Sequence, residues 1–212
     1  MAEFSYTYTT LKETIQDWTE DDSTELSNEL DNIIGMAELR IYREADLNVF
    51  RKEATAVMTS GSPYLAKPSD YVVDRALYIT SSSSLVALKQ KDTSFLRDYW
   101  PNMSTTGTPK YYADWDDNTF LVVPTPSSGL TATLSYTARP ASLDGSTATT
   151  WLSTNAADLI FAACMVYANI FLKNKAKKDE WEVDYQRALT MVRDEEMTRQ
   201  RRSDYKRSER TK

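Results

Sequence analysis

The residues that come closest to metal chemistry are Asp114, Asp116 and Asn118, in the run DWDDN at 114–118. They occupy the first alternate ligand positions of an EF-hand calcium loop. Thr119 stands where that loop needs its glycine, and Thr125 where it needs its bidentate glutamate, so the pattern fails at both the sharp turn and the final carboxylate. Turn chemistry explains the same residues, because Asp and Asn side chains hydrogen-bond the backbone two residues on. Nucleophilic chemistry fares no better. The chain has no histidine and one cysteine, Cys164, which removes every Ser-His and Cys-His pair and every cysteine-built zinc site. Set in an apolar run, Cys164 reads as a small core hydrophobe. The 31 Asp and Glu include no pair that divides into an acid and a base. Gly-rich phosphate loops, G-x-S-x-G and H-E-x-x-H are absent. A hydrolase working through carboxylates has no residues to name, and neither a metal nor a cofactor is expected.

Two groups suit binding instead. Residues 199–212, RQRRSDYKRSERTK, hold seven Lys and Arg against two acids. Arg199, Arg201, Arg202, Lys206, Arg207 and Arg210 offer charge to a phosphate backbone. The same stretch, with Tyr205 in it, is poor in apolar residues and suits a segment that is disordered alone and folds on a protein partner. A solvated terminus is the third reading. Tyr111, Tyr112 and Trp115 are candidates for stacking on nucleic-acid bases, although cross-strand packing within a hairpin explains them more simply.

Ordinary elements must position these groups. The 212 residues are 41% hydrophobic and 26% charged, with a formal net charge of -6. That length allows one large domain or two small ones, and that charge gives no global pull toward nucleic acid or anionic membrane. Thr10 to Glu13 read as a capping box opening a short helix that ends near Trp18. Asp22 with Glu25 caps a longer one, in which Leu26, Leu30, Ile33, Ile34, Ala37, Ile41 and Ala45 recur at spacings of three and four. Gly35 within it marks a place of close packing. Beyond Asp46 the texture turns to β-branched and aromatic residues between Gly, Pro and Ser. It predicts strands at 49–59, 72–80, from Leu85, and at 131–138. Asp92 caps a short helix through Phe95, Leu96 and Tyr99 that Pro101 stops. Tyr111 to Trp115 and Thr119 to Val123 flank a hairpin turn. Two more helices follow at 154–173 and 177–200. This order predicts an α+β fold: a helical bundle formed by both chain ends, 1–46 and 151–198, with an inserted antiparallel β domain, 47–150, and a basic extension, 199–212.

The most informative element is the apolar helix. Leu159, Ile160, Phe161, Met165, Val166, Tyr167, Ile170 and Phe171 cover most of its circumference, and alanines keep the other sectors thin. A helix apolar on every side must be covered on every side. Ala156 to Leu172 is at the short limit for a membrane span and carries Asp158 and Asn169, so protein rather than lipid supplies the cover. The chain itself supplies part or all of it, and a neighbouring subunit the remainder. Trp181, Tyr185, Ala188, Leu189 and Val192 form one stripe on the last helix, which packs on the apolar helix as an αα-hairpin joined through Lys-Asn-Lys-Ala. Leu159, Phe161, Met165, Tyr167, Ile170, Phe171, Trp181 and Tyr185 are thus the expected bundle and intersubunit contacts. MAEFSYTYTT has neither a basic n-region nor an apolar h-region, so a secretory signal is not expected.

Four segments, taken in order, resemble the adaptor (head-to-tail connector, or head-completion) proteins of tailed bacteriophages. They are KPSDYVVDRALYI from Lys67, GTPKYYADWDDNTFLVVPTP from Gly107, LSYTARPASL from Leu134, and TWLSTNAADLIFAACMVYANIFLK from Thr150 with Trp181 and Tyr185 beyond it. The likeness covers roughly residues 65–190 and rests on order and spacing. It implies a non-enzymatic virion protein of the head-tail junction, assembled in the host cytoplasm, with no membrane association. Such proteins form a ring, usually a homo-dodecamer, docked on the portal protein. They extend the DNA channel and offer a platform to tail or nozzle proteins, and their C-terminal segments often reach along or into the portal. That role falls here to Arg199, Arg201, Arg202, Tyr205, Lys206, Arg207 and Arg210. Residues 199–212 carry a net +5, leaving -11 for the rest. An acidic body suits a channel through which packaged DNA passes without specific binding, since like charge repels phosphate.

Overall fold

Hydroxyl side chains set where the first helices start. Helix α1 (Tyr8–Thr19) begins after Thr7, whose hydroxyl accepts from the Thr10 amide at 3.2 Å while the Thr10 hydroxyl accepts from the Thr7 amide at 2.8 Å. The capping box thus lies three residues before the one the sequence predicts, with Thr10 as its last member rather than its first. Helix α2 (Thr24–Glu44) is capped by Ser23, which accepts from the Leu26 amide at 3.2 Å. The predicted cap, Asp22, is displaced by one residue because Asp21 folds forward to take the Ser23 amide at 2.8 Å. The computed structural model describes the backbone of residues 4–45, 47–81 and 83–209, and the side chains of these residues other than 48 and 200–209.

The fold is α+β, with six helices and a curled, mostly antiparallel sheet among the described residues. The chain divides into two compact units, Met1–Asn48 with Pro140–Lys212, and Val49–Arg139. In the first unit, all seven apolar positions that the periodicity picks out are buried, six in α2 and Ala45 just past its end. The predicted helix at 154–173 is two: α4 (Trp151–Asn155) and α5 (Ala157–Phe171), separated at Ala156, where φ -138° and ψ 49° break the helical path. Helix α5 packs against α1, α2, α4 and the last helix, α6 (Lys175–Glu209). Between α5 and α6, Lys173 takes a left-handed φ of 57°. The Asn174 amide then donates to the Asn169 carbonyl at 2.9 Å, and the Asn174 side chain accepts from the Lys177 amide at 3.3 Å. Helix α6 continues to Glu209, where the sequence predicts disorder from 199. The stretch 175–209 has no Gly or Pro, and Arg, Lys, Glu and Gln are good helix formers, so its polarity does not stop the backbone from coiling.

Glu38 of α2 is buried, with 1% of its surface exposed. Both its carboxylate oxygens accept from the Leu143 amide at 3.1 Å. Tyr42 donates to it at 3.4 Å. The pair of bonds holds the segment leading into α4 against α2. Burial pushes the Glu38 carboxyl above its ordinary value; the Leu143, Ser142 and Tyr42 hydrogen bonds oppose this and the nearby Asp144 adds to it.

The second unit holds strands β1 (Arg51–Val57), β2 (Tyr64–Ala66), β3 (Tyr71–Ser81), β4 (Ser84–Gln90), β6 (Tyr111–Asp114), β7 (Thr119–Val123) and β9 (Thr131–Ala138) in one sheet, ordered β1-β9-β3-β4-β6-β7-β2. A two-stranded pair, β5 (Thr106–Gly107) with β8 (Thr125–Pro126), lies apart from it in the ladder pattern. The sequence predicts a purely antiparallel unit; β4 and β6 instead pair in parallel. Parallel neighbours need a crossover of a dozen or more residues. Residues 91–110 provide one, containing α3 (Thr93–Tyr99), which Asp92 caps and which ends ahead of Pro101 as predicted. Alternation along β9 is complete: Ala132, Leu134, Tyr136 and Ala138 are buried and join Leu77, Ile79, Tyr112, Phe120 and Val122 in the main core. Gly107 meets a close approach, since a Cβ there would lie 3.0 Å from the Cβ of Pro124.

Gly35 is exposed and a Cβ placed on it meets nothing within 4 Å. The predicted close packing is therefore absent, and the glycine only weakens α2. Gly35→Ala is expected to raise unfolding stability by about 1 kcal/mol in urea titration. Glu38 predicts a pH effect of known sign. Its folded-state pKa lies above the ordinary 4.5, so the folded state holds the proton more tightly than the unfolded chain. Between those two values stability falls as pH rises. The stability of the wild type relative to Glu38→Gln is expected to be most favourable below pH about 4 and to decline toward neutrality in urea melts across pH; a flat difference would contradict this.

Candidate intersubunit surface

An extended N-terminal segment starts the site. The Tyr6 amide donates to the Ser153 carbonyl at 2.8 Å and the Tyr8 amide to the Ala148 carbonyl at 2.9 Å, which fixes Phe4 and Tyr6 beside α5. A run of rings follows. Phe4 meets Tyr6 at 5.1 Å, and Tyr6 meets Phe161 at 5.6 Å. Phe161 contacts Trp18 at 5.3 Å and Trp181 at 5.5 Å, and the two tryptophans are 5.5 Å apart. The contacts of Phe161, Trp18 and Trp181 with one another are edge-to-face, which suits the ring quadrupoles. These rings wall a groove of about 480 Å³, completed by Asp158, Ala162, Asp184, Arg187, Ala188 and Met191. Phe4 is 68% exposed, Trp18 61% and Met191 49%. A contiguous aromatic patch of this kind is costly to leave wet and marks an interaction surface.

The structure sorts the predicted contact residues into three sets. Leu159, Met165 and Tyr185 are buried inside the chain, so they hold the helices together and do not need a neighbour. All-round apolarity of α5 overstated that need, because α1, α2, α4 and α6 of the same chain enclose eleven of its fifteen residues. Phe161 and half-buried Trp181 wall the groove. Tyr167 is half-buried, and Ile170 and Phe171 stay exposed at 51% and 39%. Asn169, polar but buried, donates to the Met165 carbonyl at 2.8 Å. Cys164 is fully buried, and burial raises its thiol pKa. Phe4, Tyr6, Trp18 and Met191 are not among the contact residues that the sequence predicts. Trp18 sits at a helix end whose apolar face is complete without it, a sign that could have singled it out.

Arg40 clamps α2 to α6. Its guanidinium meets the Glu182 carboxylate through both terminal nitrogens at 2.9 and 2.5 Å, and Glu44 through Nε at 2.9 Å. It also lies 4.0 Å over the Tyr185 ring, whose hydroxyl donates to Glu44 at 2.8 Å. The Arg40 hydrogen bonds hold Glu182 below the usual carboxylate range. Beside this clamp, Met36, Leu39, Arg40, Arg43, Glu44 and Tyr167 line a second hollow of about 410 Å³.

The β unit disposes of the other candidates. Tyr111 and Tyr112 are successive strand residues and point to opposite faces. Tyr112 is buried, donating to Asp74 at 2.6 Å, while Tyr111 packs on Phe95 and Tyr99 at 5.3 and 4.9 Å. Trp115 stays 42% exposed, with Arg97 lying 5.1 Å from its ring. The three rings form no common stacking platform. In the 114–118 turn, Asp116 accepts from the Asn118 and Thr119 amides at 2.8 and 2.7 Å, bonds that lower its pKa, and Asp114 pairs with Lys67 at 2.8 Å. Among the described residues no three acids or cysteines converge as a metal-holding group, and no helix is long and apolar enough to cross a membrane. Arg199 is exposed on α6. The side chains of Arg201, Arg202, Tyr205, Lys206 and Arg207, and the whole of Arg210, lie outside the described residues.

One family model, described as SU10 adaptor protein, matches residues 6–211. The chain belongs to the SU10 adaptor family. This is a head-tail adaptor family of bacteriophages, and the resemblance read from residues 65–190 is thereby shown and extended to α1, α2 and most of the basic extension. No curated protein matches the chain. For an SU10 adaptor, the aromatic groove separates two kinds of residue by energetics. Phe161→Ala is expected to cost about 3–5 kcal/mol of unfolding stability, since it removes a buried ring. Trp18→Ala is expected to cost less than about 1 kcal/mol in the isolated chain, since most of that ring is already in water; paired urea titrations check both.

Proposed function

We propose that this chain is the repeating subunit of a structural adaptor ring that joins the portal to the tail at the phage head-tail junction and extends the DNA channel. The observation that carries the reading is the family match, which runs through both compact units and nearly all of the basic extension. The bundle of helices from both chain ends is the body of the subunit. Trp18, Phe161, Trp181, Ile170 and Phe171 supply apolar surface for contacts with neighbouring copies, and the β unit faces tail or nozzle components. The ring is a dodecamer assembled in the host cytoplasm, and its role is structural rather than catalytic.

Charge supports the same reading. With residues 199–212 set aside, the chain carries -11, and a negative wall lets DNA slide past without adhering. The basic extension, continuous with α6 as far as Glu209, is the portal-binding segment, with Arg199, Arg201, Arg202, Tyr205, Lys206, Arg207 and Arg210 as its contacts. Deleting residues 199–212 is expected to abolish co-sedimentation with portal rings. The circular dichroism signal should fall only by the helical turns removed, and the melting transition should stay where it is. Co-sedimentation of the truncated chain at full occupancy would refute the assignment.

A further inference from the structure

Helix α5 meets solvent on two unlike sides. Asp158 and Tyr167 are nine residues apart, about two and a half helical turns, so they lie on opposite faces. Asp158, Phe161 and Ala162 face the aromatic groove. Tyr167 faces the hollow with Met36, Leu39 and Arg43, where Met36 is 45% exposed. The two surfaces also differ in charge. The groove carries Asp158, Asp184 and Arg187, and neither carboxylate has an ion-pair partner among the described residues. Across the body, Arg40 is paired with Glu182 and Glu44, and exposed Arg43 has no ion pair among the described residues.

We propose that the groove of one copy seats the Met36–Tyr167 face of the next copy, with the next copy's Arg43 set against Asp158 and Asp184. Two unlike surfaces on opposite sides of one body cannot match themselves across a two-fold axis. They join head to tail, and such contacts propagate until rotation closes them. The exposed rings of Trp18 and Phe4 provide the apolar anchor at the centre, and the opposite charges fix the register. This pairing rests on the ring reading and specifies which surfaces make the ring.

Engineered cysteines test it, because the natural Cys164 is buried. Full-length Met36→Cys, Met191→Cys and the double variant, both positions exposed in the free chain, are assembled with portal rings and oxidised. Each single variant is expected to run as a monomer on a non-reducing gel. A mixture of the two singles should give dimers, and the double variant a ladder beyond dimer. A dimer from Met191→Cys alone would show groove meeting groove and overturn the proposal. So would a double variant that stays monomeric while micrographs show rings. Absence of rings would overturn the ring reading together with the pairing. In the wild-type background, Arg43→Asp is expected to weaken assembly by at least about fivefold, and Asp184→Arg in the same chain to restore it. Failure of that rescue overturns the charge register.

Discussion

Helix α5 has no wet face along most of its length, and the helical unit is organised around that fact. Eleven of its fifteen residues are buried, and most sectors of its surface are taken by different elements of the same unit. The stripe of α2 from Leu26 to Ile41 covers one side, and Tyr185, Ala188 and Leu189 of α6 another. Leu11 and Ile15, fully buried, bring α1 onto α5 and α2. Because apolar transfer is roughly proportional to area, these contacts dominate the stability of the unit. Of its buried polar groups, Asn169 is answered by its own helix, Glu38 by Leu143 and Ser153 by Thr150.

What the body leaves uncovered then becomes the surface available for assembly. Trp18 and Met191 belong to helices that are otherwise well packed, yet they stand in water beside Phe161 and Trp181. The core is complete without them, so the fold does not account for their exposure, and the proposed neighbouring copy would cover them. The Arg40 clamp holds α2 and α6 in register around Tyr185, and the groove keeps its shape because α1, α5 and α6 are fixed by packing below it.

The β unit uses its polar residues in the same economical way. Asp74 takes two tyrosine hydroxyls, from Tyr71 at 2.9 Å and Tyr112 at 2.6 Å. Asp70 takes Tyr136 at 2.8 Å and Lys52 at 2.9 Å, and burial pushes the Tyr136 hydroxyl up to about 12. Lys67, almost wholly buried, pairs with Asp114 and lies 4.8 Å from the Tyr71 ring and 4.7 Å from the Phe120 ring. Asp114, Asp116 and Tyr112, which resemble parts of a metal or nucleic-acid site when read one by one, are thus occupied in closing a turn and fastening strands.

Periodicity and turn chemistry are local, and what depends on them alone was legible in the chain. The buried stripe of α2, the alternation of β9, the Asp92 cap of α3 and the hairpin around 114–118 follow from side chains and their spacing, whatever else the chain does. The adaptor likeness was legible too, because it rests on the order of local segments. Choices between near-equal local options were not: Ser23 rather than Asp22 as a cap, or a break at Ala156 in an otherwise helical run, depends on small energy differences that the surroundings decide. Parallel pairing of β4 with β6 needed the path of the crossover, and the split of α5 into enclosed and open sectors needed to know which helices reach it. The groove itself joins Phe4, Trp18, Phe161 and Trp181 across more than 170 positions of chain. No spacing rule connects such residues, and only the packing of α1, α5 and α6 brings their rings together.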